Sequence, residues 1–265
     1  TIGSSYQPNI ICSHFVDKVS IMTPIIMKVS ILTYNLLLNK AAKELEQIIG
    51  SHNPDFLFFQ ELATDDKNLR TIEKLNYRLA DYSNSFMRWG KIYGVATFYK
   101  PQTFNLINST SFSLPSSLYQ MITFIIKNKK NPRTVLRNEF QCKKNGKFIT
   151  TYNIHLTPVA TNTLRLKQII NTFHDLHLSK KNSIIIAGDF NYPYGRKKFE
   201  TIIQKYKLKE ATNNIDYTLE RKILKTFSIK LKLDYVLYKN IKIASNKKIQ
   251  VKYSDHYPIL STFTL

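Results

Sequence analysis

Carboxylates are what this chain is short of: 18 Asp and Glu stand against 39 Lys and Arg, a formal net charge of +21 over 265 residues. The resulting field attracts anions, so nucleic acid, anionic headgroups and phosphorylated metabolites are the partner classes it favours. An Ile-, Asn- and Lys-rich chain is also what an AT-rich genome produces, but codon bias alone need not leave carboxylates so scarce. Cysteine is nearly absent: Cys12 and Cys142 make no disulfide framework, and neither has CxxC spacing, so a reduced cytoplasmic setting is expected. With only seven glycines, nine prolines, no Ser/Gly linker and no repeat, the chain reads as one domain. No uninterrupted apolar run approaches the ~20 residues of a membrane span, and no clean secretory core is visible, so membrane insertion is not expected. Residues 1–27 mix apolar stretches with His14, Asp17 and Lys18 and are read as a leader or extension outside a 28–265 domain, with export by such a leader left open. A monomer is the default expectation.

Apolar residues are plentiful, at 43%, and their pattern changes along the chain. KVSILTYNLLL reads as a buried strand, NKAAKELEQIIGSH as an amphipathic helix and DFLFFQEL as a second buried strand. The middle is β-rich, in GVATFYK, TFNLINSTSFSL, YQMITFIIKNK, TVLRNEFQCK and KFITTYNIHLT, with Asn145-Gly146 a hairpin signal between the last two. A helix over 160–178, the strand SIIIAGDFN, a helix near KKFETIIQKY and the strands IKLKLDYVLY, KKIQVKY and YPILSTFTL complete the chain. Buried strands flanked by helices, with a long antiparallel section, predict two packed sheets between helical layers.

Polar groups recur where buried strands end. Asn35 follows SILTY, Glu61 follows DFLFFQ, His155 follows TTYNI, Asp189 and Asn191 follow SIIIAG, Asp234 interrupts LKLDYVLY, and Asp255 and His256 precede YPIL. Singly, each reads as a turn residue or a salt-bridge partner. Together they need one explanation, because an ionisable group beside a buried strand costs several kcal/mol unless paired or bound to a cation. An Asn, a Glu and Asp residues offer oxygen ligands suited to a hard divalent cation, Mg2+ or Mn2+. Histidines beside such a cation supply proton transfer and positive charge, as attack of water on a phosphate ester requires.

The motifs TYNLLL, FFQEL, YNIHLTP, IIAGDFN, KLDYVLY and YSDHYPI, in that order, resemble those of the endonuclease/exonuclease/phosphatase superfamily with its DNase I-like fold. GDFN with SDHYPI is the specific pair. The resemblance implies a four-layer α/β/β/α sandwich of two mixed, mostly antiparallel sheets, with the active site at one sheet edge. It further implies Glu61 as principal metal ligand, helped by Asn35 and Asp255; Asp189 activating water; Asn191 holding a phosphate oxygen; His256 on the scissile phosphate, oriented by Asp234; and His155 as acid or clamp on the leaving-group side. His155 stands where abasic-site endonucleases typically carry Asn-x-Tyr-x-Pro, and the Trp-Cys-Asp-Arg motif of inositol polyphosphate 5-phosphatases is absent. A nuclease on DNA or RNA is therefore the leading expectation, with SNSFMRWGKIYG as a candidate groove segment. A phosphatase or phosphodiesterase on a small or lipid phosphate ester is the alternative. His174 and His177, at i, i+3, read as a solvated helix face rather than a metal site.

Overall fold

The computed structural model describes residues 26–116, 133–176, 182–223 and 227–265. Most of the expected leader, with Cys12, the whole of the YQMITFIIKNK strand, and His177 lie outside the described residues.

Among the described residues, fourteen strands and four α-helices are laid down in chain order. Strand β1 (Lys28–Asn35) leads through a 3-10 turn (Lys40–Glu44) and α1 (Leu45–His52) to β2 (Phe56–Ala63), parallel to β1. Helix α2 (Asp66–Glu73) precedes the β3 (Arg78–Arg88) and β4 (Lys91–Tyr99) hairpin. The antiparallel middle is β5 (Phe104–Ser113), β6 (Thr134–Cys142) and β7 (Phe148–His155). Helix α3 (Asn162–Asp175) then carries the chain to β8 (Ser183–Asp189), parallel to β7. After α4 (Arg196–Lys205) come β9 (Lys209–Glu210), the small ladder β10 (Leu219–Lys222) and β11 (Ser228–Leu231), then β12 (Asp234–Lys239), β13 (Lys242–Lys248) and β14 (Ile259–Thr264). Two six-stranded sheets result, ordered β13-β14-β1-β2-β4-β3 and β5-β6-β7-β8-β12-β9.

Three apolar clusters make the four layers. Between the sheets, Val29, Phe56 and Phe58 meet Phe104, Phe140, Ile185 and Val236. The outer face of the first sheet buries Leu57 and Phe59 against Ile48 and Ile49 of α1 and Leu69 and Ile72 of α2. The outer face of the second buries Ile184 and Ile186 against Ile169 and Phe173 of α3 and Phe199 and Ile203 of α4. Helices sit where they do because strands covered on both faces need an apolar stripe on each side. Each fully buried Phe contributes about 2–3 kcal/mol of burial free energy. Caps mark two of the helix starts: Asp65 accepts from Asn68 N at 3.0 Å for α2, and Thr161 accepts from Leu164 N at 3.3 Å for α3.

Three expectations are corrected. The first strand does not run through LLL but stops at Asn35, because Leu37, Leu38 and Asn39 take left-handed conformations at φ 47°, 56° and 64°. The IKLKLDYVLY run is divided between β11 and β12, which belong to different sheets. The KKIQVKY strand lies earlier than its pattern suggests: β13 ends at Lys248, opposite Ile259, since β14 starts only after Pro258, which has no N–H to donate. The Asn145-Gly146 turn is as expected, with Gly146 at φ 69° and its N–H on Cys142 O at 2.9 Å.

An ion cluster ties α4 to the second sheet. The Glu210 side chain, 6% exposed, pairs with Arg196 and with Lys232 Nζ at 2.9 Å and accepts from Thr212 Oγ1. Burial opposes its charge, but these cations win and hold the Glu210 carboxyl below the usual glutamate range. A carboxylate depressed in this way contributes stability that is present above its unfolded pKa and lost as pH falls through the folded one. Glu210→Gln should cost about 2–3 kcal/mol at pH 7. Thermal melts of both proteins should converge as pH drops below about 4, and a gap that stays constant with pH would contradict the assignment.

Candidate active site

Strand ends from both sheets meet at one edge, and register explains why. On the second sheet, His155, Asp189 and Asp234 are direct partners across β7, β8 and β12, so the pleat turns their side chains to one face. On the first sheet, β1 ends at Asn35, level with Gln60 of β2. A buried polar strut holds the two ends at fixed separation: Gln60 Nε2 donates to Asn153 Oδ1 at 2.8 Å, and Asn153 Nδ2 donates to Ala96 O at 2.9 Å.

Glu61 reaches the site through a bulge. The β2–β4 ladder pairs Gln60 with Val95 and Leu62 with Gly94, skipping Glu61, which sits at φ 54°. Its Oε2 accepts from Leu38 N at 3.0 Å, and its backbone carbonyl accepts from Asn39 N at 3.0 Å. The left-handed turn over Leu37–Asn39, at about 1–2 kcal/mol per residue, thus closes around this carboxylate. Asn35 spans the gap between sheets, its Nδ2 donating to Asp189 Oδ2 at 3.0 Å and weakly to Glu61 Oε1 at 3.4 Å. Asn35 Oδ1 accepts from Leu37 N, which fixes the amide's orientation.

Asp189 is fully enclosed and held by three donors: Asn191 N at 2.8 Å, Asn191 Nδ2 at 3.0 Å and Asn35 Nδ2 at 3.0 Å. Burial, with the Asp234 carboxylate adding to it, raises its pKa; the charge of His256 works the other way. A carboxylate poised upward is a better base for water than an ordinary aspartate.

The two histidines are opposites. His256 donates from Nδ1 to Asp234 Oδ2 at 2.8 Å, and its Nε2 lies 3.9 Å from Asp189 Oδ2. Burial opposes its charging, but Asp234 and Asp189 outweigh that and push the pKa up to about 10, so the ring is an imidazolium at neutral pH. His155 is the reverse: burial, then the charges of Arg133 and His256, push it well below the ordinary histidine value. Since Arg133 Nη1, 3.1 Å from His155 Nδ1, can only donate, Nδ1 accepts and the proton sits on Nε2. That N–H points between Asp189 Oδ2 (3.7 Å) and Glu61 Oε1 (3.8 Å) and has no hydrogen-bond partner.

Seven of the eight expected residues thus converge, with two roles altered by geometry. Asn191 spends its amide hydrogens on Asp189 and on Leu156 O at 3.1 Å, so it orients the base rather than presenting that amide to a phosphate oxygen. His155, neutral, offers a hydrogen bond rather than a transferable charge. Asp255 does not join Glu61 and Asn35: its Oδ2 accepts from Arg221 Nε at 2.9 Å and Nη2 at 2.6 Å, because the turn before β14 aims it at β10. The missed residues are Arg133, Ser254 and Thr218. Ser254 Oγ ties Asn35 O to His256 N, and Thr218 Oγ1 accepts from Leu233 N and Asp234 N. Nothing in the sequence sets Arg133 apart from other basic residues; Ser254 at least lies inside the SDHYPI motif.

Glu61 and Asp189 converge from opposite sheets on one amide, beside an imidazole N–H without a partner. Such oxygen donors fit a hard divalent cation next to a phosphate oxygen. The Asp189, Asp234 and His256 ligand atoms also lie within 4.8 Å of one another, but a histidine that donates from Nδ1 and carries a charge is a poor ligand.

Residues 32–256 match the sequence profile of the Endonuclease/Exonuclease/phosphatase family. A UPF0294 protein of Vibrio campbellii is 28% identical over 137 residues, 51% of this chain and 46% of that protein, so the match spans about half the length of that relative. Among solved structures, ANGEL2, a 2',3'-cyclic phosphatase in complex with adenosine-2',3'-vanadate, superposes with a TM-score of 0.73 at 14% identity, over 91% of this chain and 96% of that one. A mannosyl-6-phosphatase of Bacteroides thetaiotaomicron gives a TM-score of 0.66 at 16% identity, over 89% of this chain and 100% of that one. At such identities the likeness speaks to the fold.

Proposed function

Because this chain belongs to the endonuclease/exonuclease/phosphatase family, a family of phosphoesterases, we propose that it is a divalent-metal-dependent hydrolase of phosphodiester bonds in nucleic acid, Mg2+ being the expected metal. The observation that carries the chemistry is Asp189 lying between a charged and a neutral histidine within reach of Glu61. Support for a polymeric substrate comes from the +21 charge, which favours a chain of phosphates whose counterions are released on binding.

Asp189, oriented by Asn35 and Asn191, takes a proton from the attacking water. The water oxygen forms a bond to phosphorus as the bond to the leaving oxygen breaks. His256, kept cationic by Asp234, stabilises the charge that grows on the non-bridging oxygens. His155 donates its Nε2 hydrogen bond to the same phosphate, and Arg133 keeps that proton on Nε2. Glu61, with Asn35 beside it, would hold the cation, which when bound polarises the phosphate and neutralises its charge. Among the described residues no helix is long and apolar enough to cross a membrane.

Nicking of supercoiled plasmid at neutral pH tests the reading. Conversion to open circles with Mg2+, none with EDTA and none with His256→Ala is the expected result. Hydrolysis of bis(4-nitrophenyl) phosphate with neither plasmid nor single-stranded oligonucleotide cut would keep the phosphoesterase but discard nucleic acid as substrate.

A further inference from the structure

Beside the catalytic edge lies a cleft of about 1130 Å3 that the reaction centre does not use. Its lining includes Lys40, Lys43, Arg221, Lys222, Lys252 and Tyr253. It is continuous with the site at both walls: Leu37 follows metal-side Asn35, and Ser254 to Tyr257 bracket His256. Of its two lining carboxylates, Asp255 is taken by Arg221, while Glu220 accepts from Tyr257 Oη at 2.7 Å and lies 3.6 Å from Lys230 Nζ. None of the four lysines lining this cavity, Lys40, Lys43, Lys222 and Lys252, has an ion-pair partner among the described residues. The cavity also holds an aromatic platform: Tyr253 is 49% exposed, with Lys43 Nζ 5.7 Å from its ring centroid.

We propose that this cleft seats an unpaired nucleotide next to the scissile phosphate, its base on Tyr253 and its phosphate among Lys40, Lys43 and Lys252, so that the enzyme selects single-stranded nucleic acid. The proposal rests on the nucleic-acid reading above and deepens it. A ring can stack only on a base whose face is free, and in a duplex both faces are covered by neighbours; stacking of one base is worth about 1–3 kcal/mol. Lysines alone would accept any polyanion. The adjoining ring is what points to a nucleoside, and its place three residues before His256 puts the nucleotide beside the reacting phosphate. A volume above the ~300–1,000 Å3 of ordinary ligand pockets leaves room for a base, a sugar and a phosphate together.

The test uses the full chain with Mg2+ on a fluorescent 12-residue oligonucleotide, as single strand and as duplex, with bis(4-nitrophenyl) phosphate as a substrate too small for the cleft. Thermal melts confirm that each variant is folded. Wild type should show kcat/KM about tenfold higher for the single strand, and Tyr253→Ala should erase that preference. Lys43→Ala with Lys252→Ala should flatten the salt dependence of single-strand binding by about 0.7 for each phosphate that is no longer neutralised. Phe148→Ser, exposed on the β6–β7 hairpin, is the control that leaves every rate unchanged. Equal cleavage of both forms, or a preference that survives in Tyr253→Ala, overturns the cleft assignment and leaves the nuclease intact. Hydrolysis of the small ester with neither oligonucleotide cut overturns the nuclease reading as well. Cosedimentation with phosphatidylglycerol vesicles that is lost in the double lysine variant would assign the cleft to a lipid headgroup instead and equally overturn the proposal.

Discussion

His256→Ala should reduce kcat by at least about 10³-fold, because one substitution removes both the cation proposed to meet the phosphate and the charge balance around Asp189. Asp189→Ala should be as severe, and the double variant scarcely worse than either, since base and electrostatic stabiliser act in one transition state. Both side chains lie at the sheet edge rather than within the apolar clusters, so the fold should persist. Initial rates on bis(4-nitrophenyl) phosphate beside thermal melts make the measurement, and a folded variant retaining a tenth of wild-type turnover would refute these roles. Asp234→Asn separates positioning from chemistry. Asp234 is the strongest influence raising the His256 pKa, so its neutralisation should lower that pKa. The basic limb of the kcat/KM profile should then move to lower pH, where a purely structural role would leave the limb in place.

Gly188→Ala should be the most destabilising single methyl in the described structure. Gly188 takes φ 139°, and a Cβ there would lie 2.0 Å from Ile154 O on the neighbouring strand β7. Backbone strain and overpacking each cost about 1–3 kcal/mol, and here neither partner is a flexible side chain that can swing away. A loss on the order of 4 kcal/mol is expected, measured as a shift in the urea midpoint at constant m-value. A loss under about 1 kcal/mol would mean that β7 and β8 are not held in this register. The residue matters to function for the same reason. Close approach at Gly188 is what brings His155 level with Asp189.

These features divide by whether their cause is local. Asn35, Glu61, His155, Asp189 and Asp234 were legible because each breaks an apolar run, and a polar side chain at that point needs a partner from elsewhere in the chain. The two-sheet sandwich was legible for a related reason, in the alternation of continuous runs with helical periodicity. What the sequence hides is set by pairing. Arg133 reaches His155 only because β6 runs beside β7, and its own neighbours in the chain carry no sign of it. The family resemblance implied Asp255 as a helping metal ligand, yet β10, added next to that turn, supplies Arg221 and turns the carboxylate away. The left-handed Leu37–Asn39 turn was invisible because leucine has no preference for that conformation; the Glu61 oxygens that reward it lie 23 residues beyond Leu38 and 22 beyond Asn39.

That turn also makes the molecule its own reporter. The Leu38 amide hydrogen ends on Glu61 Oε2, so its nuclear magnetic resonance shift senses the electron density of the carboxylate at the centre of the site. A cation drawn onto Glu61 would weaken that hydrogen bond and move the Leu38 peak upfield, without label or substrate. A single backbone resonance, followed while Mg2+, Mn2+ and Ca2+ are added in turn, would rank the affinities of the site for each metal in the resting protein.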